Sequence, residues 1–166
     1  MSDHPFLQVD LILRELLDAE VQFVLIGGLA SQVHGSPSLT GDVDVCFALD
    51  GANLGRLAGA LESLAAIRRE MPPGRSAPID ARALRAGDVF TLTTRYGDLD
   101  LLAHPDPGLD FEALVSHSIA AEVLGVEVRV ASLDDLMAMK RAAGRPKDRI
   151  ELEILGALRE ELDQRD

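Results

Sequence analysis

One pair of segments constrains this chain more than any other. Val21-Gln22-Phe23-Val24-Leu25-Ile26 is an apolar run that stops at Gly27-Gly28, and thirteen residues then intervene before Asp42-Val43-Asp44-Val45. The first run has the length and composition of a strand, and the alternation from Val43 to Leu49 predicts a second. Leu29 to His34 between them fits a short helix. The run Val21 to Ala30, broken by Gln22 and two glycines, falls far short of the roughly 20 apolar residues needed to cross a bilayer.

The two halves of this pattern suit one chemical task. Glycines between a strand and a helix let backbone approach a ligand closely, and the free amides of a helix start favour an anion such as phosphate. Asp42 and Asp44, two apart on a strand, project from one face while Val43 and Val45 point into the other. Two such carboxylates repel each other unless a cation lies between them, and magnesium held by carboxylate and phosphate oxygens is the usual solution. A third carboxylate from another strand would complete a two-metal site. Asp98 and Asp100 share parity on a later strand. Asp100, flanked by Leu99 and Leu101, is the favoured candidate, to bind metal or to act as general base, because Asp98 falls in a turn beside Gly97.

The rest of the chain supplies a frame. Apolar residues from Phe6 to Leu17 recur at helical spacing and predict a helix from about Pro5 to Ala19; Leu54 to Ala65 predicts another. Met71 to Pro78, rich in Pro and Gly, reads as a surface loop. Val89–Thr94 and Leu99–Leu102 flank Arg95-Tyr96-Gly97-Asp98 as antiparallel strands around a hairpin turn. Segments 121–124 and 126–130 flank Gly125 as a further hairpin or one bent strand. Ser132 with Asp135 has the form of a capping box, and Gly144 suits the position after a helix end. Pro146 then starts a last helix with an apolar stripe of Ile150, Ile154, Leu155, Leu158 and Leu162. These elements predict an α/β (α+β) fold: a mixed, partly antiparallel sheet with flanking helices and a C-terminal helical pair, in one domain over 1–166 whose helical part spans about 132–166.

Charge and cysteine usage narrow the function classes. Asp and Glu number 28 against 16 Lys and Arg, a net charge of −12, which argues against a broad basic surface for nucleic acid but not against a local phosphate site. The polar, acidic N-terminus lacks the form of a secretory signal. The single cysteine, Cys46, reads as a small buried hydrophobe, and with no disulfide to form the expected location is cytoplasmic, with no membrane partner. His4, His104 and His117 show no metal-ligand spacing, and His34 reads as a side chain that satisfies a carbonyl in preference to a site contact. Neither a Walker loop nor a dinucleotide fingerprint is present.

Taken together, Gly27-Gly28 and Asp42-Val43-Asp44-Val45 resemble the signature of the DNA polymerase beta-like nucleotidyltransferase superfamily. A narrower likeness, to small bacterial nucleotidyltransferases of the AbiEii toxin type, rests on Ile26 to Ala30, His34-Gly35, Thr40, Gly97 to Asp100, Leu136 to Lys140 and Gly144 to Asp148. The resemblance implies transfer of a nucleoside monophosphate from a nucleoside triphosphate (NTP), ATP among the candidates, to a tRNA end, a protein or a small molecule. Magnesium would be the cofactor, a role in a toxin–antitoxin or phage-defence system would follow, and a cognate antitoxin or toxin would be the protein partner. It assigns Asp42, Asp44 and Asp100 to catalysis and metal, and Gly27, Gly28, Thr40, Lys140 and Arg145 to the nucleotide.

Two positions depart from that pattern. Relatives commonly carry Arg where this chain has Ser38, so a cationic phosphate contact is either missing or supplied elsewhere; they often carry Asp where it has Glu151, a milder change that keeps the carboxylate. Lys140, Arg141, Arg145, Lys147 and Arg149 cluster within ten residues. Lys140 follows the apolar stripe of its helix, which leaves its ammonium to a triphosphate or to an ion pair with Asp148. Arg141, Lys147 and Arg149 read as solvated surface. A non-catalytic nucleotide-binding or antitoxin-like partner on the same scaffold is the competing expectation, supported by Ser38 and opposed by the three aspartates.

Overall fold

The computed structural model describes residues 6–72, 74–75 and 77–165. Helix α1 (Val9–Asp18) buries Val9, Ile12, Leu13 and Leu16 on one stripe. Its expected start at Pro5 lies outside the described residues, and Phe6 is exposed. Strand β1 (Phe23–Ile26) is buried throughout, and β2 (Asp42–Phe47) returns antiparallel to it with Ile26 opposite Asp44. Between them α2 spans Gly27–Val33, so both glycines belong to the helix itself rather than to a linker before it. Strand β1 starts two residues later than Val21 because Gln22 bonds sideways instead. Its amide donates to the Asn53 side chain at 2.7 Å, and Asn53 donates back to Gln22 O and to Ala48 O.

Asn53 sits in α3 (Gly51–Ser63), which begins three residues before the apolar pattern because Asp50 caps it, accepting from the Asn53 amide at 2.9 Å. Three short elements escape the periodicity of the sequence: β3 (Ile67–Arg68), α4 (Ala81–Ala86) and α5 (Phe111–His117). Each is too short for a repeating stripe. The two helices nevertheless carry a legible signal, an Asp cap three residues before the amide it accepts from, Asp80 to Ala83 and Asp110 to Ala113.

Strands β4 (Val89–Thr94) and β5 (Gly97–Leu102) pair antiparallel as expected, but the turn is only Arg95–Tyr96 and the strand already includes Gly97 and Asp98. Gly97 has φ +121, and a β-carbon there would lie 2.7 Å from Leu7 Cδ1. Strands β6 (Ile119–Val123) and β7 (Val126–Val130) form the hairpin around Gly125. The seven strands make one mixed sheet in the order β3-β4-β5-β2-β1-β7-β6. Two parallel pairings, β2 with β5 and β1 with β7, join its antiparallel pieces.

Alternation along the central strands sorts the side chains. Val43, Val45, Leu99 and Leu101 are fully buried, while Asp42, Asp44, Asp98 and Asp100 lie on the opposite face and remain partly open. Each such leucine or valine contributes about 2 kcal/mol by leaving water, which fixes the register and hence the carboxylates. Cys46 is fully buried, and burial, followed by the charges of Asp110 and Asp88, pushes its thiol up to about 12.

The helical pair closes the fold. In α6 (Leu133–Ala143) Ser132 accepts from the Asp135 amide at 3.1 Å, and Gly144 turns out of it with φ +63, as the capping signals predict. Helix α7 (Pro146–Arg165) packs on α6, but its expected stripe is only part-covered: Leu155 is buried, whereas Ile150 is 64% exposed and faces a cleft. No helix among the described residues is long and apolar enough to cross a membrane.

Candidate active site

The parallel pairing of β2 with β5 is what assembles the carboxylates. Its register sets Asp44 beside Asp100 and Asp42 beside Asp98. One oxygen from each of Asp42, Asp44 and Asp100 lies within 4.8 Å of the others, a set of hard oxygen donors from two adjacent strands. Burial, then the neighbouring charges of Asp42 and Asp100, pushes the Asp44 carboxyl up to about 8 despite the opposing charge of Lys140. Asp100 is also raised by burial, with Arg69 pulling the other way. Three carboxylates crowded in this way are short of positive charge, and their chemistry fits a divalent cation such as magnesium.

The structure separates the two candidates for third carboxylate. Asp98 accepts a hydrogen bond from Thr93 Oγ1 at 3.0 Å and pairs with Arg69 Nη1 at 3.4 Å, which turns it away from the cluster. Asp98 is a strand residue and not a turn residue, so the sequence reason for setting it aside does not hold; it is these partners that keep it out of the group formed by Asp42, Asp44 and Asp100. Arg69 carries no signal in the sequence for a place at this site. Just past β3, its guanidinium donates to Asp100 Oδ1 and, at 2.7 Å, to Leu92 O, so it spans both β5 aspartates. Nothing in the local sequence distinguishes it from Arg68, which instead stacks over the Phe90 ring.

The glycines prove to have an internal purpose. Gly27 has φ +71, and a β-carbon on it would lie 2.8 Å from Asp44 Cβ and Cγ. A β-carbon on Gly28 would meet Thr40 Cβ at 2.7 Å. Both residues therefore make room for the site's own side chains and let the first turn of α2 lie close against Asp44 and Thr40. Thr40 Oγ1 in turn donates to Asp42 O at 3.3 Å or Oδ1 at 3.2 Å, which steadies the loop before β2.

The cationic wall comes from α6 and α7. Asp148, fully buried, pairs with Lys140 Nζ at 3.3 Å and with Arg145 Nε at 2.7 Å, and also accepts from the Arg145 amide at 3.1 Å. Burial alone would raise its carboxyl, but these bonds from Arg145 and Lys140 prevail and hold it at about 2. Of the two roles open to Lys140, the ion pair with Asp148 is thus formed, while its side chain still borders the cleft. Lys147, expected to be mere surface, also lines that cleft, and among the described residues no hydrogen bond or ion pair engages it. Arg141 and Arg149 are exposed, as expected.

Ser38 and Glu151, the two departures from the family pattern, meet. Ser36 Oγ donates to Glu151 Oε1 at 2.8 Å and Ser38 Oγ to Oε2 at 2.7 Å. Position 38 therefore ties the loop before β2 to α7. His34 Nε2 bonds Ala131 O at 2.8 Å, the structural role read from its position.

Two clefts converge on the carboxylates. The first, of about 480 Å³, runs past Gly27, Gly28, Thr40, Lys140, Arg145 and Lys147. The second, of about 340 Å³, shares Gly27, Asp44, Asp100, Lys140 and Arg145 with it and continues along apolar side chains.

No protein-family model and no curated protein sequence matches the chain. Solved structures do. It is similar to the lincosamide antibiotic adenylyltransferase LnuA in its lincomycin-bound form, at 15% identity and TM-score 0.58, over 92% of this chain and 98% of that one. A nucleotidyltransferase-type protein from Thermotoga maritima matches at 15% identity and TM-score 0.55, over 99% of each chain. ANT(2'')-Ia, in complex with adenylyl-2''-tobramycin, matches at 19% identity and TM-score 0.52, over 93% of this chain and 94% of that one. The chain thus has the nucleotidyltransferase fold that its glycines and aspartates imply.

Proposed function

We propose that the protein is a nucleotidyltransferase, acting as one domain with residues 132–166 as its helical part, that moves a nucleoside monophosphate from an NTP to a hydroxyl of a small molecule. The observation that carries this reading is the convergence of Asp42, Asp44 and Asp100 on one sheet face, against Gly27-Gly28 and a cleft lined by Lys140, Arg145 and Lys147. The fold supports it. Two of the similar structures bear the names or products of antibiotic adenylyltransferases, which favours ATP as donor and a small acceptor.

The residues divide the work. The amides of Gly27 and Gly28 receive the triphosphate, with Lys147, which no carboxylate holds among the described residues, balancing its charge. Asp42, Asp44 and Asp100 would hold magnesium, in two ions if the set is filled, which supplies the positive charge and polarisation that phosphoryl transfer requires. A carboxylate oxygen of Asp100 accepts the proton of the acceptor hydroxyl. The acceptor oxygen forms a bond to the α-phosphorus, the α–β bridging bond breaks, and pyrophosphate leaves towards the cationic wall.

A tRNA end or a protein acceptor, as for a toxin, is less well served. Lys140 and Arg145 are committed to Asp148, which removes two of the five cations that RNA would need, and the chain carries a net charge of −12. The test is incubation with each α-labelled NTP, magnesium, a panel of hydroxylated small molecules and, separately, a cell extract. Labelled small product that vanishes with Asp44→Ala supports the reading. Label on RNA or protein instead would overturn the choice of acceptor, and no transfer from any NTP would overturn the reading as a whole.

A further inference from the structure

The sheet face that bears the aspartates changes character along β4 and β5. Cross-strand partners on that face run Thr93 with Asp98, then Thr91 with Asp100, then Val89 with Leu102. Polarity therefore ends abruptly one pair beyond Asp100. Val89 is 56% exposed and Leu102 only partly covered, so this apolar pair has no complete cover from the chain itself. Leu136 and Met139 of α6 line the second cleft together with this pair.

The charges nearby are already balanced. Lys140 and Arg145, which border both clefts, are held by buried Asp148, and the remaining charged groups of the second cleft are Asp44 and Asp100 of the carboxylate cluster. Gly28, Thr40 and Lys147 line the first cleft and not the second, which makes the first the place for the triphosphate. In-line displacement requires the incoming oxygen to stand opposite the departing pyrophosphate across the α-phosphorus. The second cleft also reaches Asp44 and Asp100 but lacks Gly28, Thr40 and Lys147, which leaves it for the acceptor, and its volume lies in the range of small-molecule sites.

We propose that this second cleft, walled by Val89, Leu102, Leu136 and Met139, is the acceptor subsite, and that it takes an uncharged alcohol with an apolar body. The proposal rests on the transferase reading above and adds the chemical class of the acceptor. A polycationic amino sugar finds no free carboxylate there beyond the two that belong to the cation site. An apolar body removes Val89 and Leu102 from water, and the hydroxyl at its end meets Asp100.

Binding and transfer are tested separately on the full chain. With methionine methyl groups carbon-13 labelled and Met139 assigned through Met139→Leu, cyclohexylmethanol is titrated with magnesium but no nucleotide, and tobramycin and ATP are titrated in parallel. Saturable movement of the Met139 methyl with cyclohexylmethanol, and none with tobramycin, is expected. Val89→Asp, at a position exposed enough to tolerate it, should weaken the alcohol about tenfold while ATP affinity holds within about twofold. Movement of Met139 by ATP, with loss of ATP affinity in Val89→Asp, would show that the cleft holds the base and overturn the proposal. So would a response to tobramycin alone. Alcohol binding without transfer from any NTP would leave the subsite's ligand class standing and overturn the transferase reading.

Discussion

Asp44→Asn should make the metal-free protein more stable at pH 8, by an amount that shrinks as the pH falls and nearly vanishes towards pH 4. The Asp44 carboxyl is pushed from 3.8 to about 8, first by burial and then by the charges of Asp42 and Asp100. A carboxyl raised on folding binds more protons folded than unfolded between those two values, so stability falls as pH climbs through that window. Each unit corresponds to 1.36 kcal/mol, so the three units from about pH 5 to 8 set an upper bound of about 4 kcal/mol; side-chain relaxation and partial solvent access bring the expected loss to about 2 kcal/mol. Asp100, raised in the same direction, adds to the slope. Asp148, held at about 2, has the opposite sign, but its contribution is lost only as pH falls from 3.8 towards 2, outside this window. Urea unfolding of wild type in EDTA should therefore show stability declining from pH 5 to 8, Asp44→Asn should abolish most of the decline, and saturating magnesium should flatten the wild-type curve alone. Stability in EDTA that is level or rises across that range would refute the crowding of these carboxylates.

Three further outcomes follow from particular contacts. Gly27→Ala, whose β-carbon would lie 2.8 Å from Asp44 Cβ at φ +71, should cost about 3 kcal/mol in unfolding experiments and weaken manganese binding seen by paramagnetic resonance; a neutral effect would mean that Asp44 does not depend on this close approach. Arg69→Ala leaves Asp98 and Asp100 without their cation and should destabilise by about 2 kcal/mol in EDTA but clearly less with magnesium, and an equal loss under both conditions would separate Arg69 from the cation site. Lys147→Ala should weaken ATP about tenfold by calorimetry, whereas Arg149→Ala should not, and the reverse order would remove Lys147 from the triphosphate wall.

The pairing of Ser38 with Glu151 alters how the family departures are understood. From the sequence, Ser38 reads as a lost phosphate cation. In the structure its hydroxyl, with that of Ser36, saturates a carboxylate of α7 and holds the cleft wall. Lys147, which lines the same cleft, is the cation we propose for phosphate in its place.

What this sequence determines by itself is local. The apolar run into Gly27-Gly28, the alternation of Asp42 to Val45, the Ser132 cap and the Gly144 exit are each written in a few neighbouring residues, because propensity, side-chain parity and capping act within a turn or a strand. The spacing even places Asp42 and Asp44 on one face. Pairing between distant strands decided the rest. The β2–β5 register sets Asp100 beside Asp44 and sends Asp98 to Thr93 and Arg69, and no pattern around residue 69 records that it will reach residues 98 and 100. Whether Lys140 faced phosphate or carboxylate likewise depended on how α6 and α7 pack around buried Asp148. Such contacts join residues far apart in the chain, and their energy resides in a mutual arrangement that neither segment specifies alone.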